Sequence, residues 1–137
     1  MENTNSGNVE RARAYAETAS DRAKTTFEKS VALRVQALTW FTPGRTQDKP
    51  KAREMFSEAI QNLEEVEFMK TGFVANVYRD WIIMEALFGE CAEGRRLFEE
   101  FWETVLEENY AFVVWQATEE DILINTSHSD CDVNLDF

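Results

Sequence analysis

Between Val9 and Phe41 the chain runs for 33 residues without a glycine or a proline. Few features restrict a fold more. A stretch that long, with no breaker and with apolar residues three or four apart, has one regular option, the α-helix. Ala12, Tyr15, Ala19, Ala23, Phe27, Val31, Leu38 and Phe41 mark its apolar stripe. A single long N-terminal helix over 9–41 is therefore expected. The first half of the stripe is rich in alanine, so its packing must be close or weak. Elsewhere breakers are nearly as scarce, with 5 Gly and 2 Pro in the whole chain. That favours helices over a many-turned β architecture.

The punctuation that does exist divides the rest. Pro43-Gly44 signals a turn within residues 42–50. Asp48 and Pro50 then fit the cap and first turn of a second helix, with Met55, Phe56, Ile60 and Leu63 on its inner side. A third helix follows Thr71-Gly72 and ends near Gly89, a C-cap glycine. A fourth presents Leu97, Phe98, Phe101, Trp102, Val105 and Leu106. Residues 109–124 stay ambiguous, because YAFVVW (110–115) is β-branched and aromatic enough for a strand. Residues 1–8 read as a disordered leader, 9–124 as one helical domain and 125–137 as a flexible acidic tail. A chain of 137 residues supports one such core. The expected fold class is all-α, built of antiparallel helical hairpins as a bundle or a short array.

One pattern occurs twice. Tyr78, Trp81 and Glu85 are matched 34 residues later by Phe112, Trp115 and Glu119. A second pattern pairs Ala52, Arg53, Met55, Phe56 and Glu58 with Gly94, Arg95, Leu97, Phe98 and Glu100, at a spacing of 42. The order aromatic-x-x-aromatic-x-x-x-Glu, eight residues, then small-Arg-x-apolar-aromatic-Glu, ending at Glu99, resembles the half-a-TPR (HAT) repeat. The resemblance covers about residues 74–105, with half-copies on either side. Gly94 departs from the usual alanine. The segment before Ala52 lacks the aromatics and the glutamate. Membership would imply stacked helical hairpins, packing of the first-helix aromatics against the small residue, and a Glu85–Arg95 pair across the hairpin. It would also imply a scaffold role in RNA-processing complexes.

Charge narrows the partners. The net charge of −12 is uneven: residues 1–50 carry eight basic and six acidic side chains, residues 51–121 six against seventeen, and the last sixteen residues three aspartates. So acidic a body repels phosphate, which counts against direct nucleic-acid binding and for a protein partner with a basic surface. Solubility is the simpler reading of the same charge. Glu99, Glu103 and Glu107 are the acids placed to dock such a partner. Phe68, Phe73 and Trp40 are the aromatics placed to anchor one on an open face. Self-association would complete that face equally well.

Chemistry is harder to find. His128, the one histidine, lies in a Ser/Asp-rich stretch with Asp130, Cys131 and Asp132, where a metal would lack a supporting shell. Cys91 sits beside Glu90 and Glu93, which disfavour a thiolate. No phosphate-cradling glycine loop and no Glu-x-x-His pair occurs. No catalytic residue, metal or cofactor is assigned, and the chain reads as no enzyme. Two cysteines outside any C-x-x-C pair suit a reducing, intracellular setting, cytoplasmic or nuclear. No apolar run approaches a membrane span. The expected role is a non-enzymatic interaction module or scaffold subunit. Its rival is a small acidic inhibitor that occupies a basic, nucleic-acid-binding protein by charge mimicry, as some phage anti-defence proteins do.

Overall fold

A helix cap at Thr25 divides the expected long N-terminal helix in two. The computed structural model describes residues 2–64, 70–107 and 112–133, with side chains outside the description at 2–6, 70–72, 105–107 and 112–115. Helix α1 spans Glu2–Arg22, and so takes in most of the segment read as a leader. Helix α2 spans Thr26–Phe41. Between them Thr25 is extended (φ −127°, ψ 158°) and its Oγ1 accepts the Glu28 backbone N–H at 3.1 Å. Thr25 and Glu28 form the T-x-x-E signature that starts a helix. It overrides a periodicity that would otherwise run straight through.

The chain forms two compact units, Met1–Lys70 and Thr71–Phe137. In the first, α2 packs on both α1 and α3 (Lys49–Glu64). Asp48 caps α3 as its position predicts, its Oδ1 accepting the Lys51 N–H at 3.1 Å. Leu33, Ala37 and Phe41 of α2 and Ala52, Phe56, Ala59 and Leu63 of α3 are buried. The buried Ser30 hydroxyl donates to the Ala59 carbonyl at 2.7 Å, which ties the two helices at mid-height. Alanines at these positions let the backbones come close enough for that bond. The turn between α2 and α3 places Gly44 at φ +153°, a conformation that L side chains rarely adopt.

The second unit holds α4 (Lys70–Phe88), α5 (Cys91–Glu107) and α6 (Phe112–Thr126). The ambiguous segment is thus helical from Phe112. Gly89 follows α4 directly, with its N–H on the Glu85 carbonyl at 3.0 Å, but only Gly44 among the described glycines has a positive φ. Gly89 therefore does not end α4 by a left-handed cap. Residues 127–133 do not run free. Cys131 is bonded to Cys91 (Cα–Cα 5.4 Å), and Val133 is 1% exposed. The expectation of unpaired cysteines is corrected here. Residues 40 apart in sequence meet because the chain beyond α6 returns to the start of α5. Every element among the described residues is a helix, and none is long and apolar enough to cross a membrane.

Candidate functional site

The α4–α5 hairpin is organised around a buried acid. Glu85 is 0% exposed. Its carboxyl accepts the indole N–H of Trp81 at 3.0 Å, one turn back on α4, and the backbone N–H of Glu90 at 3.2 Å, just ahead of α5. A buried carboxyl is tolerated only with such donors. Here they fix the hairpin turn. Tyr78, Trp81, Gly94 and Phe98 are buried around it. Tyr78 stacks obliquely on Phe101, centroids 5.3 Å apart, and its hydroxyl donates to Glu100 at 3.1 Å. At Gly94 α5 lies against α4: a Cβ there would stand 3.7 Å from the Ile82 carbonyl oxygen and 3.7 Å from the Glu85 Cβ. The small residue therefore leaves room for the Ile82–Glu85 backbone turn of α4 and for Val133, and none of the three atoms nearest its missing Cβ is aromatic.

Arg95 does not pair with Glu85. It is exposed, and its Nε donates to the carbonyl of Asp132 at 2.6 Å. On α5, next to Gly94, Arg95 faces the C-terminal strap, so the arginine holds residues 127–133 and not α4. Of the second pattern copy, Glu119 lies half-buried on α6, while the side chains of Phe112 and Trp115 are outside the described residues. Burial, reinforced by neighbouring Glu120, raises the Glu119 pKa above its ordinary value.

Electrostatically the two units differ: the first is balanced and the second strongly acidic. Residues 1–70 carry eleven basic and eleven acidic side chains, whereas residues 71–137 carry three against fifteen, so the second unit holds the whole charge of −12. Its three cations are all engaged internally. Arg79 bridges Asp80 (3.2 Å) and Asp121 (3.5 Å), Arg95 holds Asp132, and Arg96 pairs with Glu93 and with Glu100 at 3.6 Å. The Glu93 hydrogen bond raises the Arg96 pKa above its ordinary value. Glu99 and Glu103 are exposed one turn apart on α5, with no ion pair among the described residues. The side chain of Glu107 on the same line is outside the description. Like charges so spaced repel by roughly 0.2–0.5 kcal/mol, which an approaching cation would relieve.

The aromatic anchors fare differently. Phe68 lies outside the described residues, and Phe73 is half-buried on α4. Trp40 serves within the first unit. The Arg13 guanidinium lies over its ring at 3.5 Å and the Lys51 ammonium at 4.1 Å. Arg13 is 7% exposed and also donates to the Thr39 carbonyl and the Thr46 hydroxyl, each at 3.0 Å. Burial lowers the Arg13 pKa from its ordinary value, and Glu17 and Glu10 oppose that. Trp40 is thus a stacking platform that fastens α1. Its buried indole N–H has no partner among the described residues.

The alanine-rich stripe, expected to pack closely or weakly, lines in large part an open groove of about 610 Å³ between α1 and α2. Ala12, Ala16, Ala19, Phe27, Val31 and Val35 form its apolar walls, and Tyr15 on its rim is 72% exposed. A second, more polar cleft of about 470 Å³ runs beside the disulfide, lined by Leu87, Gly89, Cys91, His128, Asp130 and Cys131. It brings Cys91 and His128 together, but with the sulfur of Cys91 bonded to Cys131. That bond also removes Cys131 from the paper metal set, and no group of metal-ligating side chains occurs among the described residues. Compared with family models, curated proteins and solved structures, the chain matches none.

Proposed function

We propose that this protein is a non-enzymatic interaction module whose second unit docks on a basic surface of a protein partner. One observation carries the reading. All of the net charge lies in residues 71–137, and every cation there is already spent on an internal contact, which leaves Glu99 and Glu103, exposed on α5, unbalanced. Solubility would be served as well by acids spread over both units. Concentrating them on one unit gives a directional field that steers and orients a cationic partner. The HAT-like hairpin, in this reading, is the rigid support for that face.

The same observation favours a second reading over the aromatic scaffold. Trp40, one of the aromatic anchors, is stacked beneath cations of the first unit, whereas the net acidic charge of residues 71–137 remains. A nucleic-acid-binding protein has a groove that suits such a field, and the module would then act as an inhibitor by occupying it. Affinity capture from a cell lysate, eluted in a salt gradient, tests both. Basic nucleic-acid-binding proteins released at moderate salt support the docking reading, with the inhibitor as its specific form. Proteins that stay bound through high salt argue against it.

A further inference from the structure

We propose that Cys91–Cys131 is a thiol–disulfide exchange site that locks or releases the C-terminal strap, residues 127–133, and that it takes neutral or cationic thiols as its reductants. The inference is independent of the docking partner. It starts from what holds the strap among the described residues. The Arg95 Nε donates to the Asp132 carbonyl at 2.6 Å. The Ser129 hydroxyl donates within the strap and back to the Thr126 carbonyl at 2.7 Å. Val133 seats its Cγ1 3.4 Å from where a Gly94 Cβ would be. Beside these contacts and the burial of Val133, the one covalent tie among the described residues is the disulfide.

Access points the same way. Structural disulfides are shielded from exchange by burial, and exposed ones are the labile, regulatory kind. This one opens on the cleft lined by Leu87, Gly89, His128 and Asp130. Cys91 is the more exposed partner, and Cys131 is 9% exposed. An incoming thiolate therefore attacks the Cys91 sulfur. The Sγ–Sγ bond breaks, its electron pair leaves on the Cys131 sulfur, and Cys91 is held in a mixed disulfide. A second thiolate, or the second arm of a dithiol, attacks the incoming sulfur and expels Cys91 as thiolate. Both cysteine sulfurs take protons from water, and the reductant departs oxidised as its own disulfide. Cys91 is the first residue of α5, where the positive end of the helix offsets part of the penalty that Glu90 and Glu93 place on the thiolate this last step expels.

Charge selects the reductant. Glu90 and Glu93 flank Cys91, Asp130 lines the cleft and Asp132 follows Cys131. Arg96 is paired with Glu93, and Arg95 is the other nearby cation. The balance is negative, so an anionic thiol is repelled and a cationic one is drawn in. Release of the strap lifts Val133 from the Gly94 notch beside Glu85, while the Trp81–Glu85 and Tyr78–Phe101 contacts of the hairpin stay as they are.

The test uses the full chain purified without reductant. Cysteamine, 2-mercaptoethanol and reduced glutathione are each added in native buffer at low ionic strength, with alkylation and peptide mapping to follow the bond. An Asp-directed protease reports the strap through Asp130 and Asp132, and the hairpin through Asp80. The expected result is native-state reduction in the order cationic, neutral, anionic, with the trapped mixed disulfide on Cys91. Cleavage at Asp130 and Asp132 then rises at least about tenfold, because proteolysis tracks the opened population, while Asp80 stays protected. Cys131→Ser reproduces that cleavage pattern without reductant. The proposal fails if the bond yields only in denaturant, if the rate order is absent or reversed, if the mixed disulfide forms on Cys131, or if strap cleavage is unchanged. It fails also if Asp80 is cut along with the strap, since the bond would then hold the whole unit together.

Discussion

Gly94 is the residue where the packing argument can be tested to a few tenths of a kilocalorie. It lies inside α5, where glycine costs roughly 1 kcal/mol relative to alanine through backbone entropy. An added Cβ would meet the Val133 Cγ1 at 3.4 Å and the Glu85 Cβ and the Ile82 carbonyl oxygen at 3.7 Å. Those are contact distances, not overlaps, and carbon pairs attract most near 3.5–4.0 Å. Gly94→Ala therefore keeps the close approach and recovers most of the propensity, for a net stabilisation of about 0.5–1 kcal/mol. Gly94→Leu has nowhere to place its further atoms except against Val133 or Glu85. It loses about 1–3 kcal/mol by overpacking and unseats the strap. Hydrogen exchange of the α5 amides gives the stability of this unit without interference from the other. The reasoning is refuted if alanine destabilises α5 by more than about 1 kcal/mol, or if leucine is accepted with the strap still protected from proteolysis.

Three further outcomes follow from the same geometry. Arg13→Ala removes three hydrogen bonds of a buried guanidinium and its stack on Trp40, so a denaturation midpoint read on the first unit should report a loss of about 2–4 kcal/mol. Arg13→Lys recovers little of it, because an ammonium cannot reproduce the fork. Gly44→Ala has open space for its methyl group but must adopt φ +153°, and thermal unfolding should show a loss of about 1–3 kcal/mol. Glu119 has a folded-state pKa above its unfolded one, so the folded chain binds the proton more tightly. Its destabilising contribution is present above the folded pKa and disappears as pH falls through it toward the ordinary glutamate range. Glu119→Gln accordingly stabilises the protein at neutral pH and makes no difference below about pH 4, as paired melts at the two pH values would show.

Much of the helical framework was legible because local signals and packing agree in it. Asp48 caps α3, and Phe56, Ile60, Leu63, Leu97, Phe98 and Phe101 are buried where their spacing puts them. The long N-terminal helix was misread because Ala19, Ala23 and Phe27 continue the stripe across the break. The T-x-x-E at 25–28 was the signal that could have divided it. Residues 109–124 were open because Val113 and Val114 fit a strand locally, and only the helical pattern of the neighbouring turns decides otherwise. The disulfide had no spacing rule behind it. Two cysteines 40 residues apart meet only through the tertiary return of the chain. Arg95 and Trp40 were placed on the right elements but given the wrong neighbours. Side-chain direction on a helix depends on what packs beside it, and the strap and Arg13 are both distant in sequence.

The central claim, that charge on α5 carries partner binding, is tested most directly on a captured basic partner. Its affinity for the wild-type chain and for Glu99→Gln/Glu103→Gln is measured across a range of salt. The account predicts an affinity that falls steeply as salt rises, and a double variant that binds more weakly with a shallower dependence. Affinity indifferent to salt, and unchanged in the double variant, would contradict it.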